Sequence, residues 1–393
     1  MAKPKSSPAK SVKTKTGQFA IAIMAAGKGT RLKSNHPKVL HEIAGKPLLA
    51  YVVAAAGEVV PAHNIFAIIG YEAGRVREAL ASTGINFILQ REQRGTGHAI
   101  MEARAALQSF ETVLVLSGDV PLIKAETIKR VRDFHNAHHS AMTMLTAEQP
   151  DPTGYGRVFR KKIKGKESDE VERIVEQKSL RGKEVEQRET NAGVYAFATK
   201  PLYAHIVKLK TDNSHHEYYL TDMVTLLNKA GEKVLAVRAP DTNEVQGINT
   251  RIELAELDAK LRNQKTRELM LAGTTIFRPE TCDIDADVEV GADTVIEPFV
   301  QLIGKTKVGA DCRIRSYSVI TSCELGDGVL IQPGCILENS VVRNGAQLGP
   351  YSHLRPGSDI GEGAHIGNFV ETKKTRLGRG SKANHLTYHG DAD

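Results

Sequence analysis

The sequence predicts an α/β domain built on a mostly parallel sheet, followed by a parallel β-helix. Short apolar runs alternate with helical patterns over residues 19–249, and a charged helical segment follows at residues 251–272. An apolar residue then recurs every six positions towards the end of the chain. Buried strands that alternate with helices are typical of a parallel sheet covered on both faces. A six-residue repeat is typical of a parallel β-helix.

The composition of the 393-residue chain is that of a soluble globular protein and argues against several functional classes. No apolar run approaches the roughly 18 residues needed to cross a membrane. Aromatic residues make up only 5%, with no tryptophan, so a base-stacking surface for nucleic acid is not expected. The net charge of +7 falls to +2 without the five lysines of residues 1–17, where we expect a disordered basic tail. We therefore expect a cytoplasmic protein without a nucleic-acid or membrane partner.

The first half of the chain contains seven candidate strands and at least four candidate helices. The strands are residues 19–24, 64–69, 86–89, 112–116, 141–146, 192–198 and 233–237. The helices are residues 48–59, 75–82, 98–108 and 124–137. In such sheets, ligands bind beyond the carboxyl ends of the strands, where the loop after the first strand and Asp119 both lie.

The β-helix prediction rests on two sets of seven apolar residues spaced six apart. The first set is Ile284, Val290, Ile296, Leu302, Val308, Ile314 and Ile320. After one spacing of ten residues instead of six, a slip in the repeat, the second set is Leu330, Ile336, Val342, Leu348, Leu354, Ile360 and Ile366. Three repeats complete a coil of roughly 18 residues, so we expect about five coils.

The four cysteines lie within this repeat region, at Cys282, Cys312, Cys323 and Cys335. They contain no close pair of the kind that sets tetrahedral zinc geometry. We expect them to be small buried side chains in a reducing compartment.

The loop after the first strand indicates phosphate binding, with the sequence AAGKGTRLKSNHPKVL. It matches neither a P-loop nor the dinucleotide fingerprint. Gly27 lets backbone N–H groups approach a phosphate group closely, and the side chains of Lys28, Arg31 and Lys38 can face it.

Together with the hexapeptide repeats, this loop resembles the bacterial bifunctional enzymes of UDP-N-acetylglucosamine synthesis, which join a uridylyltransferase domain to a glucosamine-1-phosphate acetyltransferase domain. Further matches are LQREQRGTGHA, LSGDVPL, DPTGYGRV, RIVEQK, NAGVY, EYYLTDM, EVQGINTR and HLRPG…GNFVETKK…GSKANHLTYHGDA. The resemblance implies a Rossmann-like nucleotidyltransferase domain at residues 18–250, a linker helix at 251–272 and a left-handed β-helix at 273–393.

For the first domain, the resemblance implies Mg²⁺-dependent transfer of UMP from UTP to N-acetylglucosamine-1-phosphate, with release of pyrophosphate. The sugar phosphate is itself the nucleophile, so catalysis needs positioning and charge neutralisation. The resemblance gives catalytic roles to Arg31 and Lys38 and makes Asp119 and Asn249 the Mg²⁺ ligands. Substrate contacts fall on Ala25, Ala26, Gly27, Lys28, Gln90, Gly95, Thr96, Gly118, Gly156, Glu176 and Asn191.

For the β-helix, the resemblance implies a homotrimer that binds glucosamine-1-phosphate through Arg355, Lys373 and Tyr388. His385 is then the general base for attack on acetyl-coenzyme A. Because the printed sequence stops eight residues after His385, we expect acetyl transfer to be very weak or absent. Acetyl-coenzyme A is then a co-substrate only if this second site is completed.

Two alternatives stay open at this point. One is another sugar-1-phosphate nucleotidylyltransferase, because single substitutions can change the selected sugar or base. The other is a non-catalytic subunit that binds a nucleotide sugar and uses its β-helix for assembly.

Overall fold

The computed structural model describes residues 19–391 except residue 214, so the expected disordered tail at residues 1–17 lies outside the described residues. The chain divides into two compact units. The first runs to residue 41 and resumes at residues 47–250, and the second comprises residues 42–46 and 251 onwards. No helix in the described part of the chain is both long and apolar enough to cross a membrane.

Strands and helices alternate over residues 19–250, which include the described part of the first unit and residues 42–46 of the second. Strands β1–β11 are Phe19–Ala25, Glu42–Ile43, Lys46–Pro47, Ile65–Ile69, Asn86–Leu89, Thr112–Ser117, Met142–Glu148, Arg157–Ile163, Lys166–Val175, Glu189–Ala198 and Val234–Arg238. Helices α1–α7 are Leu48–Gly57, Ala73–Ala79, Thr96–Glu102, Arg104–Leu107, Ala125–His138, Thr199–His205 and Met223–Lys229. Strands β2 and β3 pair only with each other.

The remaining nine strands form one sheet in the order β5-β4-β1-β6-β10-β7-β11-β9-β8. Strands β5, β4, β1 and β6 run parallel, as the sequence predicts. Strand β10 runs antiparallel to β6 and β7, so the sheet is mixed. Alternate residues of β1 are buried in two separate cores, with Ile21 and Ile23 on one face and Ala20 and Ala22 on the other. Both faces of the sheet are therefore covered, and the predicted α/β class is confirmed.

The sequence prediction missed strands β8 and β9, which form an antiparallel hairpin. The hairpin turns at Lys164 and Gly165, both of which have positive φ. Charged side chains occupy most of its exposed positions, so it lacks the continuous apolar run that marks the other strands. The open end of the hairpin carries Gly156 and Glu176, two of the expected sugar contacts.

After residues 42–46, the second unit continues with helix α8, Arg251–Leu271, at the predicted linker position. Twenty short strands follow in a parallel β-helix. Strands β12–β31 are Thr275–Ile276, Asp283–Ile284, Glu289–Val290, Val295–Ile296, Gln301–Ile303, Lys307–Val308, Arg313–Ile314, Val319–Thr321, Glu324–Leu325, Leu330–Ile331, Ile336–Glu338, Val341–Val342, Gln347–Leu348, His353–Leu354, Asp359–Ile360, His365–Ile366, Glu371–Lys373, Arg376–Leu377, Lys382–Ala383 and Tyr388–Gly390. They stack into parallel sheets of seven, seven and six strands, so the predicted left-handed β-helix is confirmed with more coils than the expected five.

The predicted slip of ten residues after Ile320 is wrong. The inward residues continue as Leu325, Ile331, Leu337 and Val342, all buried. Two steps in this series are five residues long rather than six, which shifts the phase of the repeat by one each time. Leu330 and Ile336, which the sequence prediction placed inside the β-helix, therefore do not belong to the series of inward residues. Ile336 is 42% exposed.

All four cysteines are free and buried in the β-helix. Burial raises the pKa of each thiol, most strongly at Cys323, to about 11. They therefore act as small core side chains, as predicted, and not as nucleophiles.

Candidate active site

The predicted phosphate-binding loop leaves the sheet at the carboxyl end of β1, between the parallel strands β4 and β6. Gly29 in this loop has φ +68, and a Cβ there would lie 2.5 Å from Cβ of Lys38. A larger residue at this position would displace Lys38 from the site. The absence of a side chain at Gly29 thus allows Lys38 to pack against the loop.

Lys38, Asp119, Asn249 and Arg31 form one polar cluster. The Lys38 ammonium pairs with the Asp119 carboxylate and donates a hydrogen bond of 2.9 Å to Oδ1 of Asn249. Nη2 of Arg31 donates to the same oxygen at 2.7 Å. The backbone N–H of Ile248 donates to the carbonyl of Asp119 at 3.1 Å, which fixes Asn249 beside the end of β6. Four residues that the sequence assigns to catalysis and metal binding are therefore together.

The oxygen atoms of Asp119 and Asn249 fit a magnesium ion in kind and in direction. Carboxylate and amide oxygens are the hard ligands that Mg²⁺ prefers, and it commonly takes only one or two from protein. Both oxygens already converge on a single cation, the Lys38 ammonium. Within residues 19–391 apart from 214, there is no group of three or more His, Cys, Asp or Glu side chains able to hold a metal.

A cavity of about 320 Å³ opens beside this cluster. Its lining consists of Met24, Ala25, Ala26, Gly27, Gly29, Lys38, Val39, Gln90, Gln93, Gly95, Thr96, Ala99, Ser117, Asp119 and Glu217. Most of the predicted nucleotide contacts are among them. Glu217 is a lining residue that sequence reasoning did not assign, although it opens the EYYLTDM match.

One end of the cavity has the features of a base-recognition site. Gln90 is only 3% exposed, and its Nε2 donates to the carbonyl of Gly95 at 3.1 Å. Gly95 has φ +102, and a Cβ there would lie 2.6 Å from the carbonyl oxygen of Tyr218. Oγ1 of Thr96 accepts from the N–H of Leu220 at 3.0 Å. A held amide and a tightly packed Gly-Thr turn together offer fixed donors and acceptors to a flat ring.

The three expected sugar contacts also converge. The N–H of Asn191 donates to the carbonyl of Gly156 at 3.0 Å, and a Cβ at Gly156 would lie 3.4 Å from Oε1 of Glu176. Burial, and secondly the charge of Asp222, raise the pKa of the Glu176 carboxyl. Oγ of Ser117, in the cavity wall, donates to the carbonyl of Gly193 at 3.2 Å, which ties the Asn191 segment to the cavity.

Two other expected contacts, Lys28 and Gly118, are not among the residues that line the cavity. The Lys28 ammonium lies 5.3 Å from the ring centroid of Tyr71, so it faces that ring. The N–H of Gly118 donates to the carbonyl of Met24 at 3.0 Å, and a Cβ there would lie 2.9 Å from the same oxygen. Gly118 therefore serves close packing between β1 and β6.

In the second unit, the expected sugar-phosphate contacts share one face of the β-helix. Strands β25, β28 and β31 are neighbours in one sheet. Arg355 directly follows β25, Lys373 ends β28 and Tyr388 begins β31. Nη1 of Arg355 donates to Oε1 of Glu371 at 3.2 Å, so part of its charge is balanced. His385 is exposed and lies three residues before Tyr388 in the chain.

Comparison with known proteins agrees with this architecture. Residues 21–187 match the MobA-like NTP transferase domain, and residues 287–322 and 339–374 match the bacterial transferase hexapeptide family of six repeats. The chain is 65% identical over 380 residues to the bifunctional protein GlmU of Koribacter versatilis, covering 97% of this chain and 81% of that protein. It is 44% identical to the bifunctional protein GlmU of Solibacter usitatus, covering 95% and 80%.

These similarities extend through both units, since the matched regions include the nucleotidyltransferase domain and the hexapeptide repeats. They confirm the prediction of a transferase with both kinds of domain. The chain therefore belongs to the family of bifunctional GlmU proteins, UDP-N-acetylglucosamine diphosphorylases of the nucleotidyltransferase class that carry a hexapeptide acetyltransferase domain.

Proposed function

We propose that the first unit transfers UMP from UTP to N-acetylglucosamine-1-phosphate in a Mg²⁺-dependent reaction. A phosphate oxygen of the sugar phosphate attacks the α-phosphorus of UTP, and the bond from that phosphorus to the pyrophosphate oxygen breaks. The products are UDP-N-acetylglucosamine and pyrophosphate. The observation that carries this proposal is the convergence of Lys38, Arg31, Asp119 and Asn249 beside a cavity lined by Gln90, Gly95 and Thr96.

Each part of the site has a role in this reaction. Gln90, Gly95 and Thr96 hold the uracil edge, and the backbone of Ala25, Ala26 and Gly27 passes close to the nucleotide. Gly156, Glu176 and Asn191 receive the sugar, with a carboxylate and an amide for its hydroxyl groups. Such a reaction needs no protein nucleophile, only orientation and charge neutralisation.

The cationic residues neutralise the charge that builds up during transfer. Lys38 and Arg31 supply an ammonium and a guanidinium beside the phosphates. Asp119 and Asn249 would hold Mg²⁺, which withdraws charge from phosphate oxygens when it is bound. Once phosphates draw the Lys38 ammonium away, the two ligand oxygens become available.

The test is pyrophosphate release from UTP with N-acetylglucosamine-1-phosphate, compared with glucose-1-phosphate and with CTP, ATP and GTP. We expect release only with UTP and the amino sugar, and loss of release with EDTA. Equal rates with glucose-1-phosphate or another nucleotide would favour a different sugar-1-phosphate nucleotidylyltransferase. Nucleotide-sugar binding with no release from any pair would favour the non-catalytic assembly subunit.

We propose a second site on the β-helix, where Arg355, Lys373 and Tyr388 on one face would bind glucosamine-1-phosphate. His385 would take the proton of the attacking amine, whose nitrogen would bond to the acetyl carbon of acetyl-coenzyme A. The thioester C–S bond would break, and coenzyme A would leave as the thiol. The homotrimer and the cytoplasmic location stay predictions. An acetyl-coenzyme A assay with wild type and Arg355→Ala, together with sedimentation analysis, tests this part.

A further inference from the structure

Arg157, the first residue of β8, is a buried cation with neutral hydrogen-bond acceptors. Its side chain is 1% exposed, it donates to the carbonyl of Tyr155, and its Nη2 donates to Oε1 of Gln177 at 2.7 Å. Its Nε has no hydrogen-bond partner among the described residues. Burial lowers the pKa of this guanidinium, and the charge of Asp151 opposes the shift only in part. Burying a charge without a paired carboxylate costs free energy, so this position requires an explanation.

Arg157 lies at the centre of the expected sugar site. In the sheet it pairs with Val175 on β9 and with Thr190 on β10. The residue before it is Gly156, and the residues after its two partners are Glu176 and Asn191. Strand register alone therefore places all three expected sugar contacts around the backbone of Arg157.

Gln177 completes the connection between the two sides of this site. Its Oε1 accepts from Arg157 Nη2 at 2.7 Å and also from the N–H of Gly154 at 3.3 Å. Arg157 in turn holds the carbonyl of Tyr155. The loop that leads to Gly156 is thus bonded at two successive residues to side chains that flank the site.

We propose that Arg157 and Gln177 are positioning residues, which hold Gly156 against Glu176 and so set the affinity for the sugar phosphate. This inference rests on the proposed function of the first unit. The planar guanidinium reaches two acceptors in fixed directions, which a lysine ammonium on a flexible stem does not reproduce. These two hydrogen bonds from one rigid guanidinium explain why a cation is buried at this position.

Loss of the Arg157–Gln177 contact should change the affinity for the sugar phosphate and not the affinity for UTP. Gly156, Glu176 and Asn191 are expected to contact the sugar, whereas Gln90, Gly95 and Thr96 line the cavity at the nucleotide end. Misplacement of a binding segment by about 1 Å is enough to lower activity by up to about a hundredfold. The KM for N-acetylglucosamine-1-phosphate should therefore rise while the KM for UTP stays nearly constant.

The test compares Gln177→Ala, Gln177→Glu and Gln187→Ala in the full chain, by pyrophosphate release with each substrate varied in turn. Gln187 is a matched control, since its Nε2 also bonds the backbone of β8, at the carbonyl of Val158, 2.7 Å away. We expect Gln177→Ala to raise the KM for the sugar phosphate about tenfold and to leave the KM for UTP within about twofold. Gln177→Glu keeps the acceptor oxygen and should restore the wild-type value.

A parallel rise of both KM values, or a wild-type KM for the sugar phosphate in Gln177→Ala, would overturn the inference. So would failure of Gln177→Glu to recover what Gln177→Ala loses. Arg157→Lys should reproduce the Gln177→Ala effect if it folds, and the Gln177 variants decide the question if it does not. No pyrophosphate release by wild type would instead refute the proposed function, so the two failures are distinguishable.

Discussion

The ammonium of Lys38 lies 2.9 Å from Oδ1 of Asn249, although 211 positions separate the two residues in the chain. Lys38 also pairs with Asp119, whose backbone carbonyl accepts from the N–H of Ile248. The loop after β1, the segment after β6 and the segment before α8 thus meet at one cation. This relationship is the basis of the metal and phosphate roles proposed for the site.

Asp119→Asn should abolish most of the nucleotidyl transfer. The change removes the carboxylate that pairs with Lys38, so we expect kcat/KM to fall by at least about a hundredfold. The apparent Mg²⁺ requirement should rise as well, which a Mg²⁺ titration of pyrophosphate release measures. Asp133→Asn, which removes an exposed carboxylate paired with Arg132, is the control and should retain wild-type activity. An unchanged Mg²⁺ dependence in Asp119→Asn would remove Asp119 from the metal site.

Gln90→Leu should impair uridine recognition with little change in sugar affinity. The substitution keeps a similar volume but removes the buried amide that bonds Gly95 and faces the cavity. We expect the KM for UTP to rise about tenfold or more, and the preference for UTP over CTP to fall. Steady-state kinetics with both nucleotides measures this, and an unchanged preference would contradict the assignment.

The corrected phase of the β-helix predicts different costs for two isoleucines on paired strands. Ile320 is fully buried and Ile336 is 42% exposed. Ile320→Ala should lower the free energy of unfolding of the second unit by about 2–5 kcal/mol, and Ile336→Ala by less than about 1 kcal/mol. Denaturant unfolding of each variant measures the difference. Equal losses would support the original six-residue phase instead.

His135 predicts an acid-sensitive contribution to the stability of the first unit. It is 3% exposed, and burial lowers its pKa to about 4 from the usual 6.5. Between these values the unfolded chain binds a proton that the folded protein does not. Stability is therefore lost as the pH falls from 6.5 to 4, by about 3 kcal/mol in total.

His135→Asn should flatten this pH dependence, at the cost of lower stability near pH 7 because the bonds to Thr143 and Ser140 change. The exposed His138 on the same helix provides the control, and His138→Asn should leave the slope as it is. Urea unfolding at several pH values between 4 and 7.5 gives both slopes. Parallel curves for wild type and His135→Asn would disprove the role of His135.

Sequence periodicity predicted the fold where apolar pattern and burial coincide. The run at residues 19–24 and the repeat up to Ile320 are examples, because every inward position there carries an apolar side chain. It failed for β8 and β9, which are rich in charged residues, and after Ile320, where two repeats are one residue shorter. The site residues came from the family resemblance. The Arg157–Gln177 contact could not be predicted, because it depends on the register of strands that the apolar pattern did not reveal.

The most direct measurement of the central claim is ³¹P NMR of UTP and N-acetylglucosamine-1-phosphate incubated with the enzyme and Mg²⁺. The account predicts two coupled resonances of a sugar diphosphate and one of pyrophosphate, formed in equal amounts while both substrates decline. Persistence of UTP, or its decay to UDP and orthophosphate with the sugar phosphate untouched, would contradict it.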